Sequence, residues 1–150
     1  MAKPDTLCKE LASILGGKAS SNNGICEVQV QRTDIDVTIM GISSPAVAAH
    51  MFIFQRYANS QRALNLGDLV LVQDEVPQVI RELANREITI GAVHNHWIFD
   101  EPHLIYVHVQ AIMKPHIFAQ RIAEVLAIIN ESRTPEDDID DDDMGDDDDY

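Results

Sequence analysis

The chain has 150 residues, 45% of them hydrophobic, and no run approaches the ~18 consecutive apolar residues of a membrane span. Its formal net charge of −14 is unevenly spread. Residues 136–150, EDDIDDDDMGDDDDY, hold 11 of the 25 acidic residues, leaving 14 acids against 11 bases in the rest. These numbers exclude a membrane-spanning helix and give the folded part no basic cluster with which to bind nucleic acid.

The length predicts a single globular domain over residues 1–134, followed by a disordered acidic tail over 135–150. The tail's plain role is solubility; looser divalent-cation binding and electrostatic mimicry of nucleic acid are the sharper ones. The N-terminus, MAKPDTLCKELASILGG, lacks the layout of a secretory signal, and no apolar run precedes Cys8. Cys8 and Cys26 form no CxxC motif and read as reduced thiols in a cytoplasmic protein, with a disulfide between them the lesser reading.

In chain order, Leu7, Leu11, Ile14 and Leu15 give the stripe of a helix from about Asp5 to Leu15, ended by Gly16-Gly17. SNNGICEVQVQ and DIDVTIMGI alternate as two strands, expected to pair as an antiparallel hairpin about a turn at Arg32-Thr33. HMFIFQRY and ALNLGDLVLVQ read as two more strands, turned at Asn59-Ser60-Gln61. Asp74 is the expected N-cap of a second helix, EVPQVIRELANRE, with Val79, Ile80 and Leu83 facing inward. ITIGAVHNHWI and LIYVHVQAI form a strand pair about FDEPH, and Pro115 opens a third helix whose buried stripe is Phe118, Ile122, Val125, Leu126 and Ile129. The expected class is α+β, an antiparallel sheet of β-hairpins with about three helices on one face. EVQVQRTDIDVTIMGI and WIFDEPHLIYVHVQAI each follow a helix, an echo open to two readings: a duplicated αββ unit, or two similar hairpins by chance.

The stretch HNHWIFDEPHLIYVH, residues 94–108, holds four of the six histidines. With the hairpin centred near Glu101, His94 is expected opposite His108, and His96 opposite Tyr106. Strand alternation then collects His94, His96, Tyr106 and His108 on one face. Val93, Asn95, Trp97, Ile105, Val107 and Val109 take the other, the natural core face. Opposed Cβ atoms lie about 4.5–5.5 Å apart, so three imidazoles can converge on one cation. Imidazole suits zinc, iron, copper or nickel, and a bound metal relieves clustered histidines of finding separate partners.

The series HxH, four residues, Glu, six residues, His partly resembles the first cupin motif. Cupins, however, carry a Gly where His108 stands, and here a helix follows instead of the strand bearing their second motif. A fuller resemblance, over about residues 7–130, is to the uncharacterised LppY/LpqO family. It rests on the Gly-Asp-Leu, Glu-Val, His-Asn-His and Tyr-x-His series within GDLVLVQDEVPQVIRELANREITIGAVHNHWIFDEPHLIYVHVQA, with QRTDIDVTIMGI upstream. The family pattern falls on Arg32, Asp34, Gly67, Asp68, Glu75, His94, Asn95, His96, Glu101, Pro102 and His108. His103 departs from it, since the family often has Arg there, and the exported lipoprotein members differ from this chain, which has no export signal. The resemblance implies no activity.

The expected site is therefore a divalent transition metal, zinc or iron, on His94, His96 and His108. Glu101 and Glu75 are the candidate general bases for a metal-dependent hydrolase or oxygenase of a small molecule. Asp34, Asn95 and Tyr106 are candidate pocket residues; Tyr106 either orients a ligand or fills the pocket floor. His103 is read as a solvent-facing turn residue, and His50 and His116 as incidental. The competing reading is a non-catalytic sensor or small-ligand module with an acidic interaction tail. A homo-oligomer is compatible with either.

Overall fold

The computed structural model describes residues 5–56 and 60–131. The acidic segment 135–150 and Asn59 of the expected turn lie outside the described residues. Asp5 opens helix α1 (Thr6–Leu15) by accepting the Cys8 backbone N–H at 2.7 Å, and Gly16, left-handed at φ 72°, closes it. The next segment is not one strand but two. Asn23 and Gly24 both have positive φ (51° and 76°), as a two-residue hairpin turn requires, and join β1 (Lys18–Asn22) to β2 (Ile25–Gln31). Strand β2 then pairs with β5 (Ala49–Arg56), so the expected hairpin about Arg32-Thr33 does not form. With it goes the first half of the apparent αββ echo.

Residues 32–48 leave the main sheet. β3 (Thr38–Ile39), β4 (Ile42–Ser43) and β8 (Asp100–Glu101) make a separate three-stranded sheet in the order β4-β3-β8. The main sheet adds β6 (Ala63–Val72), β7 (Thr89–Asn95) and β9 (Leu104–Met113) in the order β1-β2-β5-β6-β9-β7, antiparallel throughout. Helices α2 (Val76–Asn85) and α3 (Pro115–Glu131) complete the α+β architecture. The turn ahead of α2 is 3-10 (Gln73–Glu75). Glu75, not Asp74, occupies the N-cap position and makes no side-chain cap bond there.

Alternation along β6 explains the two layers. Leu69 and Leu71 point into the larger core with Val28, Phe52, Val107 and the buried faces of all three helices. Val70 and Val72 point the other way, into a smaller core with Val37, Ala48 and Leu104 beneath the small sheet. The expected stripe of α3 is buried in full. The expected core face of the histidine hairpin holds only in part. Val107 and Val109 are buried, but Val93 and Trp97 are 44% and 46% exposed. β7 is a sheet edge, and the chain has left it before Trp97, which lies beside Ile42 and Val47 of the small-sheet layer.

Cys8 and Cys26 are joined in a disulfide that ties α1 to β2 inside the larger core. This corrects the reading of two reduced thiols and removes the reason it gave for a cytoplasmic setting, since structural disulfides persist in oxidising compartments. Among the described residues, no helix is long and apolar enough to cross a membrane. Closing a chain segment of 18 residues restricts the unfolded chain by about 3 kcal/mol. Thiol titration of the unreduced, unfolded protein should therefore detect no free cysteine. The Cys8→Ala/Cys26→Ala protein should lose stability of that order in urea denaturation.

Candidate functional site

β9 runs between β6 and β7, and its pairing decides which side chains meet. Asp68 lies directly opposite His108 on one side, and Ala92 opposite His108 on the other. His94 faces Tyr106, not His108, and a bulge falls between Ile90 and Ala92. The register therefore differs by two residues from that expected, because Asp100 and Glu101 pair with β3 instead of forming a tight turn. A two-residue slip keeps every side chain on its face, so His94, Tyr106 and His108 still share one surface.

The diagonal neighbours His94 and His108 turn their rings to each other, with centroids 4.8 Å apart and Nε2 atoms 2.7 Å apart. Their outer nitrogens are both held by acceptors. His94 Nδ1 lies 2.8 Å from the Asn95 carbonyl oxygen, and His108 Nδ1 is hydrogen-bonded to the Asp68 carboxylate. A carbonyl and a carboxylate only accept, so both Nδ1 atoms must carry hydrogen. A neutral imidazole has one N–H. Both Nε2 atoms then present lone pairs to the same point, an arrangement stable only with a positive centre between them, a proton or a metal ion. A histidine whose Nδ1–H is fixed by a carboxylate or carbonyl is also the usual form of a metal-ligating imidazole.

His96 is turned elsewhere. Its Nε2 lies 3.0 Å from the Val47 carbonyl oxygen and 3.1 Å from the Trp97 indole nitrogen, while its Nδ1 is buried without a hydrogen-bond partner. Burial lowers its pKa, opposed by the Val47 carbonyl. Tyr106 stands among the three imidazoles, 3.8 Å from the His96 ring and 5.6 and 5.7 Å from those of His94 and His108. Burial raises its pKa, assisted by Asp68. Among the described residues, no three His, Cys, Asp or Glu side chains are grouped so as to hold a metal ion.

The remaining candidates lie apart from the imidazole pair. Asn95 gives its carbonyl to His94, but its side-chain oxygen takes His103 Nε2 at 2.9 Å. His103, expected in solvent, is half-exposed and bridges to Asp100 at 2.7 Å. Glu101 is an exposed residue of the small sheet, opposite Thr38. Glu75 is buried, gripped by both terminal nitrogens of Arg32 at 2.7 and 3.0 Å, and also accepts the Val72 N–H. Asp34 takes the other edge of the same guanidinium at 3.1 and 2.8 Å. Although burial lowers the pKa of Arg32, the two carboxylates outweigh it and hold the guanidinium charged.

A family model described as Domain of Unknown Function (DUF1259) matches residues 9–128. The chain belongs to this family. No curated protein and no solved structure matches the chain. The DUF1259 match thus spans the whole imidazole surface and all but Cys8 and Ile129 of the buried cores, from within α1 to near the end of α3.

Two features of this DUF1259 chain escaped the motif reading. Asp68, cited above only through a resemblance, is the cross-strand partner of the key imidazole; a lone carboxylate inside the apolar strand ALNLGDLVLVQ was its signal. His50, read as incidental, is a buried acceptor that takes the Val70 N–H at 3.0 Å. His116 also has a partner, Glu10 at 2.8 Å. Burial, and then the nearby Arg32 cation, push the His50 pKa from 6.5 down to about 4. Between these values the unfolded chain binds a proton that the folded chain refuses, so stability rises with pH there and is lost on acidification. Urea titrations from pH 7 to 4 should show His50 contributing a loss of a few kcal/mol. His50→Asn, whose amide oxygen can still accept from Val70, should flatten that slope.

Proposed function

We propose that this protein binds one divalent transition-metal ion through Nε2 of His94 and His108, with Asp68 orienting His108, and presents it to a small molecule. The observation that carries this reading is the pair of lone pairs aimed at one point, 2.7 Å apart, with both outer nitrogens anchored. The fit is close. Zinc–imidazole bonds of about 2.0–2.1 Å in tetrahedral geometry separate two ligand nitrogens by roughly 3.3 Å, so the rings need to part by only about 0.6 Å. Both rings reach solvent, which leaves the remaining coordination positions for water or an incoming ligand atom. With zinc such a site supplies water activation or Lewis acidity, and with iron, oxygen chemistry.

The metal set is thereby narrowed to two imidazoles, with His96 a neighbour whose ring packs at a tilt against Tyr106. Glu75 is engaged by Arg32, and Glu101 belongs to the other sheet, so neither supports a general-base step. That observation favours a metal-dependent ligand-binding module over a hydrolase. The His-Asn-His and Tyr-x-His series also supports reading the chain as LppY/LpqO-like.

Cobalt titration of the full chain tests this, because imidazole ligation gives visible absorption that loose binding by tail carboxylates does not mimic. His94→Ala and His108→Ala should each abolish the spectrum. Asp68→Asn should weaken binding by roughly 10–100-fold, and His96→Ala should leave the stoichiometry unchanged. Equal uptake by wild type and a His94→Ala/His108→Ala protein would refute the proposal.

A further inference from the structure

The solvent face of the main sheet changes character at the imidazole pair. On one side, Val70 and Tyr106 are covered by the small sheet and the segment leading to it. On the other, the face is bare, beginning at the cross-strand row Met51, Asp68, His108. Successive rows along an antiparallel sheet lie about 6.7 Å apart. The next row is Ile53, Leu66, Gln110, and the one after it is Gln55, Leu64, Ile112. An antiparallel sheet face open to water ordinarily carries polar side chains. Here its middle strands carry Met51, Ile53, Leu66, Leu64 and Ile112, with Gln110 and Gln55 at alternate edges of the strip and Ile112 47% exposed. A cleft of about 260 Å³ opens on this strip, with Met51, Ile53 and Leu66 on its apolar side and Asp68 and His108 at its head. That volume lies just below the ~300–1,000 Å³ of drug-sized pockets, so the fitting ligand is small.

We infer that the strip seats the hydrocarbon tail of a small amphiphile whose anionic oxygen-donor head group lies at His94 and His108. This rests on the metal-binding reading above and adds the ligand class to it. The geometry gives the ligand one direction. The small sheet closes the Tyr106 side, so the tail runs over Leu66 toward Ile112. In the second row the apolar pair Ile53 and Leu66 is flanked by Gln110 on one side and by the exposed Glu27 on the other, so the apolar run is confined to the middle strands.

The test uses the cobalt-loaded full chain and straight-chain alkyl hydroxamates from two to eight carbons, read by the change in the cobalt spectrum. Affinity should rise with each added methylene, by up to about fourfold per group that reaches the strip. Leu66→Gln, and separately Ile53→Gln as a check against misfolding, should cut octanohydroxamate affinity at least tenfold. Cobalt uptake and acetohydroxamate affinity should not change. An affinity independent of chain length, or one that rises equally in both variants, overturns the inference while leaving the metal site intact. A concentration-dependent dimer abolished by Leu66→Gln, with no chain-length effect, would assign the strip to a second copy and overturn it too. Should wild type take up no cobalt, the metal reading fails on its own. Calorimetry of the metal-free protein with octanoate then decides the strip: binding lost in Leu66→Gln retains it, and no binding overturns it.

Discussion

The ten-residue ladder between β6 and β9, from Ala63 opposite Met113 to Val72 opposite Leu104, is the constraint on which the molecule turns. Its end at residues 69–72 is buried on both sides, with Leu69, Leu71 and Val107 in the helix-side core and Val70, Val72 and Leu104 in the other. A one-residue slip would exchange these two sets and send Asp68 and His108 into the larger core. Burial on both faces therefore fixes the register, and the register sets the carboxylate against the imidazole. The chemistry at the surface inherits its precision from apolar packing that never touches it.

Arg32 links the second layer to this ladder. Its guanidinium sits at the departure point of the segment that leads to the small sheet and binds Asp34 in that segment, Glu75 ahead of α2, and the Val70 carbonyl. Burying the Arg32 and Glu75 charges is costly, and such a pair is often no more stabilising than packed apolar residues of the same volume, while Asp34 meets the guanidinium from the solvent side. What it contributes is direction: one planar donor with two carboxylates and a carbonyl allows the leaving chain a single path. Removal of Glu75 strands the buried guanidinium in low dielectric, at a cost on the order of 3–5 kcal/mol. The cover that ends at the imidazole pair is therefore held by this ion pair together with its own small apolar core, while the floor beneath it is held by hydrophobic burial.

Local signals in the chain were reliable where a single element decides. The stripe of α3, the cap of α1 and the continuous apolar run of β6 all report their own surroundings, and each forms as its pattern implies. Partnering is another matter. Asn23-Gly24 is a strong turn signal inside a stretch that also alternates as one strand, and the turn wins because two positive φ values there are cheap. The two-residue slip between β7 and β9 depended on Asp100-Glu101 finding β3, sixty residues earlier in sequence, which no local pattern encodes. Faces survive such a slip but opposing pairs do not, so the histidine surface was legible whereas the identity of the facing rings was not. The disulfide and the Arg32–Glu75 pair are likewise meetings of distant residues.

Proton accounting carries the functional argument beyond proximity. Clustered histidines alone say little, because an imidazole can donate through one nitrogen and accept through the other and so satisfy itself in many settings. Here that freedom is gone: Asp68 and the Asn95 carbonyl each claim an N–H, and nothing remains to separate the two inner lone pairs except a positive centre. A shared proton meets that need with one unit of charge, with the Asp68 carboxylate directly behind one ring to offset it. A divalent ion meets it with two, and gains bonds to both rings where the proton serves them only in turn. His96 makes the contrast plain, since on the same surface its Nε2 has a carbonyl and an indole for neighbours and its ring stays neutral among them. Two imidazoles differ from the third in what stands behind them, and that difference singles out the point where a cation belongs.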